Sequence, residues 1–310
     1  MKQTPIGRAL AGITVGPQVS VDNLRMFPLM GPSVKSVDYI TLDDALAGNL
    51  SEVTEVSDHG VVPQLRVVNR GRQPMLILDG EELVGAKQNR VVNLTILVAA
   101  GSTLTIPVSC VEAGRWRAQS KAFSAAPRAQ YAGGRAKRMA QVSRSMALGG
   151  APVSDQSAVW ADIADTSARM HSSSPTSAME QIFIDHSASI DDYVIGCRPL
   201  EGQLGAVFAI GDRIVGFDLF DDAGTFRKLL PKIVRSYAVD AIDAGNASVP
   251  ATRSSVAHLV PGFLAALAAA SQQCVAAVGL GEDVRLSAGG LVGAGLVVDG
   301  RVLHLSGFNA

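Results

Sequence analysis

The chain has 310 residues, 47% hydrophobic and 18% charged, with a formal net charge of −1. That composition excludes a disordered chain, leaves ample apolar surface for a core, and gives no global attraction to nucleic acid or anionic membrane. Three cysteines without a C-x-x-C pair and five scattered histidines without H-x-x-x-H spacing exclude a disulfide framework and a histidine-based metal centre.

The first residues, MKQTPIGRALAGITVG, are broken by Pro and Gly and lack the apolar core of a secretory signal. The longest apolar run, Val256 to Ala270, contains His258 and Pro261. It falls short of the roughly 20 residues that span a bilayer. A reducing cytoplasm is the expected compartment, with no membrane association.

From there the first half reads as strands. Val61–Asn69 alternates around Leu65 and Val67, and Pro74–Leu78 is a short apolar run ending at the Asp79-Gly80 turn signal. Val91–Val98 and Thr103–Cys110 are spaced to form a hairpin through Ala100-Gly101-Ser102. Together they predict an antiparallel sheet with residues 79–90 as a long connection at one end.

Residues 113–154 carry eight basic residues and no acid, and residues 155–192 carry seven acids against Arg169 alone. Mutual neutralisation within the fold or between subunits fits better than nucleic-acid binding, because the basic window offers only Phe123 and Tyr131 for stacking. Pro127, Gly133-Gly134 and Gly149-Gly150 predict loop and frayed helix there. Helices are expected over Asp155–Met170 and from Thr176 to Ile184.

The last third predicts a hairpin, Leu204–Ile210 and Arg213–Phe220, around Gly211-Asp212. Helices follow over Thr225–Ala244, with Pro231 inside, and Ser254–Gln272. Short strands follow at Val275–Leu280, Val284–Ser287, Leu291–Val298 and Val302–Ser306. The expected class is α+β: a β-rich N-terminal half with antiparallel strands, a helical middle, and mixed strands and helices at the C-terminus. One domain over 1–310 is expected, subdivided at most into 1–118, 119–193 and 194–310. The glycines of 279–295 are read as turns and close strand packing, because no phosphate-loop lysine follows them.

The densest chemistry lies between Asp79 and Trp116. Glu81, Glu82 and Glu112 are candidate acid/base residues; carboxylates also hold divalent metals, which the spacing here does not support. No metal ligand is assigned, and the cofactor is left unknown. Lys87, Gln88, Asn89, Arg90 and Arg115 are candidate donors to phosphate or carboxylate oxygens, and Trp116 can stack on a ring. Cys110, with no histidine near it in sequence, reads as packing. Asp218 is a lone acid on an apolar strand.

Several blocks carry a family resemblance: ILDGEELVGAKQNRVVN (77–93), IPVSCVEAGRW (106–116), Gln156-Ser157-Ala158-Val159-Trp160, Gly205-Ala206-Val207, and Val215-Gly216-Phe217-Asp218-Leu219-Phe220. With these the chain resembles the ARG and rhodanese–phosphatase-superfamily-associated protein domain. That family is named for its genomic company of ADP-ribosylglycohydrolases and rhodanese-like phosphatases. The resemblance implies a link to NAD-derived or ADP-ribosylated molecules and transfers no catalytic residue. Two functions follow as expectations. One is binding or processing of a phosphorylated, nucleotide-like small molecule, with the protein a bacterial enzyme or a binder. The other is a non-catalytic binding or scaffolding module, compatible with a homo-oligomer. They part on whether 79–90 and 110–116 converge on an open site or satisfy one another.

Overall fold

The computed structural model describes residues 4–34, 36–246 and 256–309. It is α+β, as the strand and helix patterns predict. Two β-structures dominate: an open nine-stranded sheet and a closed six-stranded barrel, with a three-stranded sheet beside the barrel. Among the described residues, strand pairs are antiparallel except the short parallel pair between Ile40–Thr41 and Met75–Ile77. No helix among them is long and apolar enough to cross a membrane.

The large sheet takes strands from both ends of the chain. Leu24–Met30 pairs with Gln203–Ile210, which pairs with Arg213–Phe220, and the sheet runs on through Arg301–Asn309, Leu291–Val298, Glu282–Ala288 and Ser271–Ala276. Successive side chains on a strand point to opposite faces. Ala206 and Phe208 therefore pack on one side, with Tyr237 and Phe226 of the long helix Ala223–Asn246. Val207 and Ala209 pack on the other, with Ile6 and Leu10 of helix Pro5–Ala11 and Leu267 of helix Val260–Ala269. Burial on both faces is why Gln203–Ile210 reads as a continuous apolar run.

The barrel is built from Ser51–Glu55, Gln64–Asn69, Glu81–Gly85, Arg90–Val92, Ser102–Cys110 and Phe123–Ala129. Val53, Leu65, Val67, Leu83, Val92, Ile106 and Val108 fill its interior, as expected of so small a barrel.

Five sequence expectations differ from the observed fold. Residues 79–90 are not one long connection: Glu81–Gly85 is a barrel strand. The apolar run 91–98 is two strands in two sheets, Arg90–Val92 in the barrel and Ile96–Val98 in the three-stranded sheet. The basic window is ordered, with strand Phe123–Ala129 followed by the 16-residue helix Ala132–Ala147. Gly133 and Gly134 open that helix instead of breaking it. A Cβ at Gly134 would stand 2.7 Å from Gln130 Nε2, so the glycine permits close packing. The helix expected over Ser254–Gln272 spans Val260–Ala269 after a short 3-10 turn, and its first two residues lie outside the described ones. The strand expected over Val275–Leu280 is Ser271–Ala276.

Candidate functional site

Strand direction brings one set of connections together. Strands Ser51–Glu55, Glu81–Gly85 and Ser102–Cys110 end, and Gln64–Asn69, Arg90–Val92 and Phe123–Ala129 begin, at the same end of the barrel. Residues 56–63, 86–89 and 111–122 therefore share one rim, which we term the mouth. Residues 79–90 and 110–116 do converge, through their parts beyond Gly85 and Cys110.

Most of the converging groups satisfy one another. Arg115 donates six hydrogen bonds: to Glu112 Oε1 and Oε2 at 2.8 and 2.6 Å, to Asn89 Oδ1 at 3.1 Å, and to the carbonyls of Gly85, Ala86 and Arg117. Glu112 also accepts from the Asn89 backbone N–H at 3.0 Å and from Thr176 Oγ1 at 2.7 Å. Burial opposes the Glu112 charge, but Arg115, Thr176 and the Asn89 N–H outweigh it and hold the carboxyl below its usual range. Gln88 donates to the Glu112 carbonyl at 3.0 Å and accepts the Cys110 S–H at 3.2 Å. Burial pushes the Cys110 thiol up, so it is held as a thiol and not as a nucleophile. Arg115 clamps Ala86, which has φ of +38°, a conformation costly for a residue with a Cβ.

Glu81 and Glu82 lie on opposite faces of their strand and meet different cations. Glu81 accepts from the Leu78 N–H and is ion-paired with buried Lys232, which also reaches Asp43. Glu82 pairs with Arg128 at 2.5 Å, and Arg128 binds Glu180 at 2.8 Å. Burial pushes the Glu82 carboxyl up to about 7 against the pull of Arg128. A carboxyl raised in the folded state contributes stability that is complete below its ordinary value of 4.5 and is lost as pH rises through about 7. Glu82→Gln is therefore expected to flatten the pH dependence of Tm. Between about pH 5 and pH 8 the wild type loses more than the variant, and parallel profiles would refute the assignment.

Arg90 is different. It pairs with Leu83 and Cys110 across the barrel strands and so points into the lumen beneath the mouth. Its side chain is fully buried, yet Nε and Nη2 have no partner and Nη1 makes one long contact of 3.4 Å to the Asn89 carbonyl. Burial pulls the guanidinium below its ordinary pKa. The Trp116 ring lies over it, 5.7 Å from the guanidinium carbon and 5.6 Å from Lys87 Nζ, and is itself 47% exposed. Glu55, which sequence reasoning missed, completes the rim; its signal was a charge at a lumen-facing position of the alternating strand Ser51–Glu55. Two open clefts, one over Asn49 and Glu52 and one between helices Pro5–Ala11 and Val260–Ala269, have no unpaired buried side-chain atom in their described lining.

A second buried network joins the barrel to the large sheet. Arg135 binds Asp218 through two hydrogen bonds of 2.7 and 3.2 Å, and Arg138 binds Asp79 at 2.9 Å. Asp218 also meets His304 Nε2 and the Tyr237 hydroxyl, each at 3.3 Å, and His304 Nδ1 lies 2.8 Å from Thr95 Oγ1. Thr95 Oγ1 also accepts the Asp79 N–H. The ionised carboxylate of Asp218 can only accept, so Nε2–H donates to it. This series has the connectivity of a hydroxyl–imidazole–carboxylate relay. Asp218 and His304 are wholly buried and Thr95 nearly so, so it works as a tie between layers. Gly80 (φ +81°) admits the tie, because any Cβ there would stand 3.0 Å from the Arg135 side chain.

Fold and site together define an α+β protein with a small closed barrel, a polar rim at its mouth and a buried ionic seam at its base. Residues 12–308 match the family described as ARG and Rhodanese-Phosphatase-superfamily-associated Protein domain, and the chain belongs to that family. No curated protein and no solved structure matches it.

Proposed function

We propose that the chain binds a small phosphorylated, nucleotide-derived ligand at the barrel mouth. The observation that carries this reading is Arg90: a wholly buried guanidinium with two nitrogens, Nε and Nη2, whose three N–H groups are buried and have no acceptor. A phosphate supplies acceptors of the required charge and geometry. Lys87 adds a second cation, and Trp116 offers an exposed face on which a base can stack once the ring lifts from Arg90. Barrel mouths are a recurrent location for small-molecule sites. Glu81, Glu82 and Glu112 are already engaged by cations, so in this reading they hold the walls, and the reading stops at binding. ADP-ribose and NAD are the first ligands to test, given the association with ADP-ribosylglycohydrolases that the family resemblance implies.

A ligand present at a hundredfold excess over its Kd stabilises the native state by about 2.7 kcal/mol, which a thermal-shift assay detects readily. Arg90→Met is expected to abolish that shift. The same substitution is expected to stabilise the ligand-free protein by ~1–3 kcal/mol, because it removes an uncompensated buried charge. A variant that is both less stable and still ligand-responsive would sink the reading. The scaffolding alternative draws on the mutual closure of Gln88, Asn89, Glu112 and Arg115. It stands if no phosphorylated ligand shifts the wild type.

A further inference from the structure

We infer that Glu55 accepts a hydroxyl group of the ligand whose anionic group Arg90 takes, so that the ligand is a phosphorylated polyol and not a bare anion; this rests on the anion-binding reading above.

Glu55 closes the strand Ser51–Glu55 and pairs with Leu65, which in turn pairs with Ile106. Leu65 and Ile106 fill the lumen, and directly paired residues share a face. Glu55 therefore faces the lumen, at the same end as Arg90. One of its oxygens is used: Oε1 accepts the Lys87 backbone N–H at 3.3 Å. The other, Oε2, is buried and has no donor. An ionised carboxylate offers about four acceptor positions, so most of this one's capacity is unspent.

The space beside Oε2 is kept open by the backbone. Gly60, at φ +71°, stands over it, and a Cβ there would lie 3.1 Å from Oε2 and 3.0 Å from Lys87 Cδ. Any side chain at position 60 would fill the gap between the carboxylate and the lysine stem.

Arg90 and Glu55 attract one another, and this attraction favours the charged guanidinium. They nevertheless make no hydrogen bond, and each keeps unpaired atoms facing the same rim. Two unpaired donors beside one unpaired acceptor select by chemistry. An inorganic anion satisfies Arg90 and Lys87 and is repelled by Glu55. A ligand with a hydroxyl a few bonds from its phosphate satisfies both sides, since the hydroxyl proton goes to Oε2 while the phosphate oxygens accept from Arg90. Sites that hydrogen-bond a substrate hydroxyl discriminate strongly against analogues lacking it, because the buried polar atom is then left unpaired.

The experiment is isothermal titration of the full chain with ribose 5-phosphate and with n-butyl phosphate, which matches it in anion but has no hydroxyl. Ribose 5-phosphate is expected to bind at least ~10-fold more tightly. Glu55→Met is expected to erase that preference while leaving butyl phosphate bound as well as before or better, which also shows that the mouth is intact. Glu55→Gln, which keeps one uncharged acceptor, should restore part of the preference. Equal affinities in the wild type, or a preference that survives Glu55→Met, would overturn the role of Glu55 and leave the anion site standing. Failure of both phosphates to bind the wild type would overturn the anion site itself, and Glu55's role with it.

Discussion

Arg115→Ala is expected to destabilise the protein by ~3–5 kcal/mol, the range for removing one member of a buried ion pair. The loss is large because this guanidinium serves five residues at once. Without it Glu112 keeps its charge in a buried setting with only Thr176 and the Asn89 N–H for partners. The carbonyl of Gly85 loses its Arg115 donor, and that of Ala86 keeps only the Gln119 N–H. Ala86, held at positive φ, loses its clamp. Arg115→Lys should recover little, since an ammonium cannot reproduce a planar fork that reaches carboxylate and carbonyls together. Denaturant unfolding checks this, and a cost under about 1 kcal/mol would show that the rim does not depend on the pair.

The second large effect is expected at Asp218. Asp218→Ala strands Arg135, His304 and the Tyr237 hydroxyl in a region from which water is excluded. A loss of ~3–5 kcal/mol is expected, a fall in Tm of roughly 5–8 °C for a chain of this length. Burial opposes the Asp218 charge, but Arg135 and His304 more than offset it, so its folded pKa lies below the ordinary value. The stability it contributes is thus present above the ordinary carboxylate range and is lost as pH falls through the folded pKa, opposite in sign to Glu82. Folded Asp218→Ala protein should keep its ligand affinity at the barrel mouth. Loss of binding with the fold intact would make the seam part of the site.

Local patterns made the C-terminal hairpin legible, because Gly211-Asp212 between two apolar runs has a short-range cause. The dense block from Asp79 to Trp116 was legible as the place where polar groups gather. Closure of the barrel was not, because it depends on pairing Cys110 with Arg90 and Phe123 with both Gly85 and Val53, and no single strand's alternation encodes that. Nor was the strand Glu81–Gly85. Two adjacent glutamates look like a solvated turn until Lys232 and Arg128, 151 and 46 residues away, are brought to them. Arg135 and Arg138 read only as members of the basic window, neutralised somewhere in the fold or between subunits; which carboxylates do it was hidden, because Asp218 and Asp79 come from other elements. Glu55 was overlooked because a lone acid at a strand end is common, and its lack of a partner is visible only in three dimensions.

The path of the chain through the large sheet sets an order of assembly. Strand Leu24–Met30 is made early, but its partner Gln203–Ile210 comes off the ribosome nearly two hundred residues later. Every barrel strand lies between residues 51 and 129. During translation the barrel strands can therefore pair while Leu24–Met30 waits with one edge open, and a waiting apolar edge is a target for chaperones and for aggregation. A chain truncated after Ala129 would present that edge, and one truncated after Phe220 would not.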